Sequence, residues 1–127
     1  MNKKLSEPNE DYLERICELL DKKSYARVTD IAEELKVKPA SVTAMLQKLE
    51  VDGYLVREIY RGFSLTKKGV AAGKKIQKRH QVLYRFLNFL KIDPEVIADD
   101  VDGLEHHLSD ETVKKLETFL EKEVNAY

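Results

Sequence analysis

Residues 29–65 change their hydrophobic period from that of helices to that of strands, and this change restricts the fold more than any other feature. The stretches "TDIAEELKV" and "PASVTAMLQKLEVD" place apolar residues at helical spacing on either side of a tight turn. The stretch "YLVREIYRGFSLT" then alternates apolar and polar residues around "YRG", which predicts a β-hairpin with Gly62 in the turn. Helix, turn, helix and hairpin in this order predict a winged helix-turn-helix within a mainly α chain.

The other segments are also predicted to be helical. Asn9 is expected to cap a first helix, "NEDYLERICELLDKK", and Thr29 the second. Thr66 is expected to cap a long helix that starts at "TKKGV", Asp93-Pro94 to begin a helix that reaches Leu108, and Ser109 to cap the last one. We therefore predict a winged helix-turn-helix domain over residues 1–66 and a helical domain over residues 67–127.

Charge is divided unevenly along the chain. Residues 36–91 hold 13 basic and 3 acidic residues, a net charge of +10, whereas residues 92–127 carry −8. A basic middle indicates a polyanionic partner, and an acidic end indicates a cation or a partner protein. Segregation by chance remains the alternative for a chain that is 35% charged.

The predicted recognition helix and wing carry side chains suited to DNA. Small hydroxyls allow a helix to approach base edges, glutamine can pair with adenine, and basic residues bind phosphate. Val42 is expected on the inner face. A helix-turn-helix can also serve protein contacts, but the basic charge favours double-stranded DNA. The predicted DNA contacts are Lys38, Ser41, Thr43, Gln47, Lys48, Arg57, Tyr60 and Arg61.

The stretch "DDVDGLEHHLSDE" crowds six acidic residues and two histidines together with no lysine or arginine. Asp102, Glu105 and His106 stand at i, i+3 and i+4, which places them on one face of a helix. Carboxylates and imidazole without thiolate suit hard or borderline divalent cations such as Mn²⁺ or Fe²⁺. A solvated acidic helix is the alternative interpretation.

Two other segments can supply metal ligands. Asp11 and Glu14 share a face of the first helix, and His80 lies within the basic stretch "KKIQKRHQ", where it can also be an ordinary surface histidine. Catalysis is not predicted, because "EHHLSDE" is not the H-E-x-x-H pattern of zinc peptidases. Cys17 lies on the apolar side of its helix and is expected in the core.

A single cysteine excludes an intrachain disulfide, and neither a signal-peptide core nor a run of about 18 apolar residues is present in the sequence. We expect a cytoplasmic protein that does not enter a membrane.

With these parts in order, the chain resembles the diphtheria toxin repressor family of metal-dependent regulators, and most closely its manganese transport regulator branch. The resemblance covers nearly the whole chain. The matching segments are "DYLE", "YARVTDIAEEL", "KPASVTAMLQKLEVDGYL", "YRGFSLTKKG", "KRH" and "DVDGLEHHLS".

The resemblance implies a homodimeric repressor that binds operator DNA when it is loaded with metal and that controls metal-ion uptake genes. It places the metal ligands at Asp11, Glu14, His80, Asp102, Glu105 and His106. The expected ion is Mn²⁺, with Fe²⁺ or another divalent cation as the alternative. One or two ions per chain are expected, because the manganese branch usually has Glu where this chain has the shorter Asp102. An iron-responsive repressor, or a metal-independent DNA-binding module with an acidic tail for a partner protein, are the other functions considered.

Overall fold

The computed structural model describes residues 5–125 and is mainly α-helical, with one small antiparallel sheet. Its elements fall into two compact units, one up to Lys74 and one from Lys75 onward, and α4 contributes to both. In chain order the elements are α1 (Glu7–Lys23), α2 (Val28–Leu35), α3 (Pro39–Val51), β1 (Leu55–Glu58), β2 (Gly62–Leu65), α4 (Lys67–Phe89), α5 (Pro94–Leu104) and α6 (Asp110–Asn125). The expected winged helix-turn-helix and the helical C-terminal part are confirmed.

The first unit is built on apolar side chains that recur at helical spacing in α1, α2 and α3. The predicted inner face of α3 is confirmed, since Val42, Leu46 and Leu49 are each no more than 1% exposed. Between α2 and α3, Lys36 adopts a left-handed conformation (φ 57°), and its backbone N–H donates to the Glu33 carbonyl. This left-handed residue ends α2 and turns the chain into α3. The buried residues from these helices are Leu13, Ile16, Leu19, Leu20, Ile31, Ala32, Leu35, Val42, Leu46 and Leu49.

Two predicted helix caps are wrong, and in each case the helix begins earlier in the chain. Ser6 caps α1 and accepts a hydrogen bond from the backbone N–H of Asn9 at 3.3 Å, so Asn9 lies inside the helix. Arg27, not Thr29, occupies the cap position of α2, and the Asp30 carboxylate accepts from the backbone N–H of Arg27 at 3.0 Å. In α1 the cap residue's own hydroxyl accepts from the backbone three positions on, whereas in α2 the side chain three positions on accepts from the backbone of the cap residue.

The β-hairpin forms the predicted wing and is joined to the connector between α1 and α2. Phe63 pairs with Arg57 inside the hairpin and, on its other side, with Ala26 through two backbone hydrogen bonds of 2.8 and 3.0 Å. Gly62, predicted to lie in the turn, is the first residue of β2 and has a φ of 107°. An added Cβ at Gly62 would collide with the backbone of Ala26. The glycine is therefore required by both its conformation and the closeness of the connector.

Replacing Gly62 by alanine should lower the free energy of unfolding by about 2–3 kcal/mol, because the side chain adds strain at positive φ and displaces Ala26. The measurement is urea denaturation followed by circular dichroism. The matched control is Gly103→Ala, since a Cβ added at Gly103 in α5 meets no atom within 4 Å. That control should be neutral or stabilising by up to about 1 kcal/mol. Equal destabilisation by both variants would contradict the assignment.

Cys17 lies where α1 passes closest to the start of α4. Its thiol donates a weak hydrogen bond to the Gly69 carbonyl at 3.9 Å, and an added Cβ at Gly73 would collide with its sulfur. Thr66 caps α4 as predicted, accepting from the Gly69 N–H at 3.0 Å. Burial raises the pKa of the Cys17 thiol from 9.0 to about 11, and the nearby carboxylates of Asp21, Glu14 and Glu18 add to the shift. The expected core position of Cys17 is confirmed as a partly buried one.

Alkylation of Cys17 by iodoacetamide at pH 8 should be at least about a hundredfold slower in the folded chain than in urea, because a pKa near 11 leaves correspondingly little thiolate. The measurement is mass spectrometry of quenched samples over a range of pH. The rate in urea should be half-maximal near pH 9, whereas the rate in the folded chain should be half-maximal near pH 11. A folded rate that is half-maximal near pH 9 would show that burial does not perturb the thiol.

The second unit packs α5 and α6 against the C-terminal half of α4. Leu83 and Leu87 of α4 pack with Ile97 and Val101 of α5, and Val82 packs with Val113 and Leu120 of α6. Partly buried Phe86, Leu108 and Leu116 contact both clusters. Neighbouring positions of α4 thus hold α5 and α6, and the three shared side chains join the two clusters.

The helix predicted to reach Leu108 ends earlier, at Leu104. The Glu105 N–H still donates to Val101 at 3.1 Å, but the His107 N–H donates to Leu104 at 3.0 Å, which tightens the helix into a turn. Ser109 then caps α6, as predicted, by accepting from the Thr112 N–H at 3.2 Å.

Among the helices of residues 5–125, none combines the length and the hydrophobicity that crossing a membrane requires.

Candidate nucleic-acid interface and metal centre

The outer face of α3 presents most of the side chains predicted to contact DNA. Ser41, Gln47 and Lys48 are exposed, as is Lys38 at the position that caps the helix. Thr43 is half-buried, and its hydroxyl donates to the Pro39 carbonyl at 2.9 Å. The hydroxyl of Thr43 is therefore partly engaged within the helix, and its methyl group is the part best placed to contact a base.

Arg57 in the wing is engaged within the protein. Its guanidinium lies 3.5 Å from the Glu50 carboxylate and 5.0 Å from the centre of the Phe63 ring. More than half of the side chain remains exposed, which leaves it able to contact phosphate. An exposed pair of this kind contributes little stability, so a phosphate can replace Glu50 at small cost.

The tip of the wing is exposed but held by arginines. Tyr60 is 90% exposed and has a φ of 72°, a conformation that is unfavourable for a large side chain. Arg27 donates from its guanidinium to the Tyr60 carbonyl at 3.0 Å, and Arg61 lies 5.5 Å from the centre of the Tyr25 ring. Both contacts join the wing tip to the connector between α1 and α2, so the strained conformation is fixed from outside the hairpin.

An open cleft of about 800 Å³ lies between α3, the start of α2 and the wing. It contains four of the predicted DNA contacts but also Arg27 and Thr29, which sequence reasoning did not select. The signal for Arg27 was present in the sequence, as a lone basic residue just before the helix-turn-helix. The lining residues are Arg27, Val28, Thr29, Thr43, Gln47, Arg57, Glu58, Ile59, Tyr60, Gly62 and Phe63.

Replacing Tyr60 by glycine should separate stability from DNA binding. Glycine relieves the strained φ and little buried surface is lost, so the unfolding free energy should stay unchanged or rise by up to about 1 kcal/mol. DNA affinity, measured by fluorescence anisotropy, should fall.

The matched control for Tyr60→Gly is Lys91→Gly, because Lys91 in the second unit also has a positive φ, of 60°. Its stability should respond in the same direction while DNA affinity stays unchanged. If Tyr60→Gly bound DNA as well as the unaltered chain, the wing tip would not be a contact.

In the first unit, α1 supplies two of the predicted metal ligands. Asp11 and Glu14 are three residues apart on α1 and are both half-buried.

In the second unit, the structure brings His80, Glu105 and His106 together. The Glu105 carboxylate is buried, with Oε2 2.9 Å from Nδ1 of His80 and Oε1 3.6 Å from Nε2 of His106. Asp102 lies in the last turn of α5 but is exposed, whereas Glu105 and His106 are 2% and 5% exposed. The sequence placed all three on one face of a helix, but because α5 ends at Leu104, Glu105 and His106 lie in the turn that follows it.

The donor set fits a divalent cation of borderline hardness. A buried carboxylate is costly unless positive charge or hydrogen-bond donors compensate it, and imidazole nitrogens are good ligands for such cations. The exposed side of His80 leaves the group open for entry, since its side chain is 47% exposed. A metal could therefore be held by His80, Glu105 and His106 together with carboxylates from other parts of the chain.

A winged helix-turn-helix followed by a helical unit with clustered carboxylate and imidazole groups defines a metal-responsive DNA-binding regulator. The comparisons with known proteins make the class more specific. Residues 4–63 match the family described as iron dependent repressor, N-terminal DNA binding domain, and residues 66–124 match its metal binding and dimerisation domain. The chain belongs to this family, which confirms the resemblance seen in the sequence. It is a transcriptional regulator and not an enzyme.

A curated relative and two solved structures illustrate the similarity. The chain is 51% identical to the HTH-type transcriptional regulator MntR of Bacillus pumilus over 107 residues. These residues make up 84% of this chain and 74% of the relative. The structure of the manganese regulator SloR has a TM-score of 0.74 at 32% identity, covering 89% of this chain and 53% of that one. The hypothetical protein SSo2273 from Sulfolobus solfataricus has a TM-score of 0.78 at 26% identity, covering 93% and 91%. The chain thus spans about half the length of SloR and nearly all of SSo2273.

Proposed function

We propose that the chain is a manganese-responsive transcriptional repressor that binds operator DNA as a metal-loaded homodimer and controls metal-ion uptake genes in the cytoplasm. The observation that carries the proposal is the buried Glu105 carboxylate between His80 and His106, within a domain that matches a metal-binding family. The identity of 51% to a regulator named MntR supports manganese as the ion.

The proposed ligands come from both units. His80, Glu105 and His106 are joined in our proposal by Asp102 and by Asp11 and Glu14 of α1. A bound divalent cation would compensate the negative charge of these carboxylates. Harder oxygen ligands favour Mn²⁺ over softer ions, and the shorter reach of Asp102 decides whether one or two ions bind.

Regulation follows from the repulsion among the carboxylates. Carboxylates held close together without a cation repel one another, and a bound divalent cation would remove that repulsion. Metal binding would thereby favour the conformation in which the two recognition helices of a dimer match successive major grooves. Metal and DNA should then bind with reciprocal coupling, typically about 1–3 kcal/mol.

The proposed DNA interface follows the cleft and the outer face of α3. Ser41, Thr43 and Gln47 would contact base edges, while Lys38, Lys48, Arg57 and Arg61 would contact phosphate. Tyr60 would extend the contact at the wing tip. Homodimerisation is supported by the family description of the second domain.

An iron-responsive repressor is the second candidate, because the family description itself names iron and because Asp102 departs from the Glu usual in the manganese branch. Anaerobic competition between Mn²⁺ and Fe²⁺ at equal free concentration distinguishes the two.

Replacing His106 by alanine should abolish the response to manganese, and because this buried imidazole faces Glu105 the metal-free variant should also be less stable, which thermal denaturation measures. Anaerobic titration followed by electron paramagnetic resonance should give one or two Mn²⁺ per unaltered chain, and the variant should lose at least about a hundredfold in affinity, as expected for removal of a ligand. The unaltered chain should bind more DNA from a pool of random-sequence duplexes when Mn²⁺ is present. The variant should bind the same amount with and without Mn²⁺.

The matched control is His107→Ala, which removes the neighbouring imidazole but is exposed and outside the proposed ligand set. His80→Ala and Glu14→Ala should behave like His106→Ala. Normal manganese binding by any of these three would remove that residue from the site. Metal-independent DNA binding by the unaltered chain would instead favour a module whose acidic segment binds a partner protein.

A further inference from the structure

Two basic side chains of α4, Lys75 and Arg79, pair with Asp110, the first residue of α6. The Asp110 carboxylate lies 3.4 Å from the guanidinium of Arg79 through Oδ1 and 3.3 Å from the ammonium of Lys75 through Oδ2. The Arg79 side chain is only 14% exposed, although Asp110 itself is 65% exposed. Hydrogen bonds from Lys75 and Arg79 hold the pKa of Asp110 below its ordinary value. We refer to Lys75, Arg79 and Asp110 as the Asp110 cluster.

The cluster lies on both segments that form the metal-binding group of the second unit. Arg79 directly precedes His80 on α4, and Asp110 follows His106 after a linker of residues 107–109. The end of that linker is fixed, because Ser109 caps α6 through the Thr112 N–H. Anchoring Asp110 to α4 therefore also anchors the turn that carries Glu105 and His106.

A cation held by His80 and Glu105 would compete with the direct contact between them. Nδ1 of His80 lies 2.9 Å from Oε2 of Glu105, and lone pairs directed at a cation would no longer serve that hydrogen bond. The Asp110 cluster uses no atom of the proposed ligands, so it can persist in both states. It would then act together with the apolar packing of α5 and α6 on α4 to keep the ligand segments aligned.

We propose that Asp110 is a positioning residue for metal binding, which holds the Glu105–His106 turn against His80 through its ion pairs with Lys75 and Arg79. The proposal rests on the proposed function, since it concerns the same metal site. It assigns a role to residues outside the ligand set.

The test is the Mn²⁺ affinity of Asp110→Asn, measured by electron paramagnetic resonance. Affinity should fall about three- to fivefold, the factor to which a partly exposed ion pair corresponds. Asp110→Glu keeps the charge and should restore affinity to within about twofold. The difference between Asp110→Asn and the unaltered chain should shrink in 1 M NaCl, because salt screens exposed pairs.

A matched control separates positioning from general charge and packing effects. Glu117→Gln also removes one negative charge from α6, and Glu117 pairs with Lys78 of α4 at 3.2 Å, seven residues further along α6. This variant should change Mn²⁺ affinity by less than about twofold. Equal losses in Asp110→Asn and Glu117→Gln would overturn the proposal.

Lysine variants give a test with opposite expectations. Removing a positive charge near a cation site should tighten metal binding if only long-range electrostatics act. Lys75→Gln should instead weaken Mn²⁺ binding about twofold, because it releases Asp110, whereas Lys78→Gln should not weaken it. Tighter binding by Lys75→Gln would contradict positioning. Because Lys75 is 66% exposed, this variant should keep the fold, which thermal denaturation of the metal-free protein verifies.

The unaltered chain distinguishes failure of this proposal from failure of the function. If it binds no Mn²⁺, both are overturned. If it binds Mn²⁺ and Asp110→Asn binds equally well, only the positioning role is overturned.

Discussion

The Glu105 carboxylate is 2% exposed, and the arrangement of the second unit depends on how that buried charge is compensated. Placing a carboxylate in a protein interior costs several kcal/mol unless positive charge or donors face it. Here one oxygen faces His80 on α4 and the other faces His106 in the turn after α5. The same atoms that reduce this cost in the metal-free chain are good ligands for a divalent cation. The packing of the second unit and the proposed sensing of metal therefore involve the same group.

In the first unit, the wing tip is a strained loop that is exposed to solvent and is held in one conformation by contacts from outside the hairpin. The wing tip extends into solvent at Tyr60, yet its carbonyl is bound by Arg27 and the following strand pairs with Ala26. Both contacts come from the connector that joins α1 to α2. Because α1 carries two of the proposed ligands, the element that would respond to metal is joined to the element that would contact DNA. This physical connection fits a regulator.

The basic residues in the middle of the chain have two different uses, and the sequence alone indicated only one of them. The basic middle of the chain was interpreted as an interface for a polyanion, and the exposed lysines of α3 agree with that interpretation. Three basic residues of the same block, Lys75, Lys78 and Arg79, instead face acidic residues of α6. Some of the basic and acidic residues that give the two segments their opposite net charges therefore form ion pairs between α4 and α6. A net charge per segment cannot distinguish these uses, because it has no information about which residues meet.

The sequence by itself determined the order of helices and strands, the inner face of α3 and the residue types of the metal site, because hydrophobic period and donor chemistry are local properties. The ends of the helices were mispredicted, because local hydrogen bonds other than the expected ones set them: α1 and α2 begin before their expected caps, and α5 stops at Leu104. Only the tertiary structure decided that Glu105 and His106 are buried while Asp102 is not, and that Arg27 and Asp110 have distant partners. These last features depend on contacts between residues far apart in the chain, which no local pattern encodes.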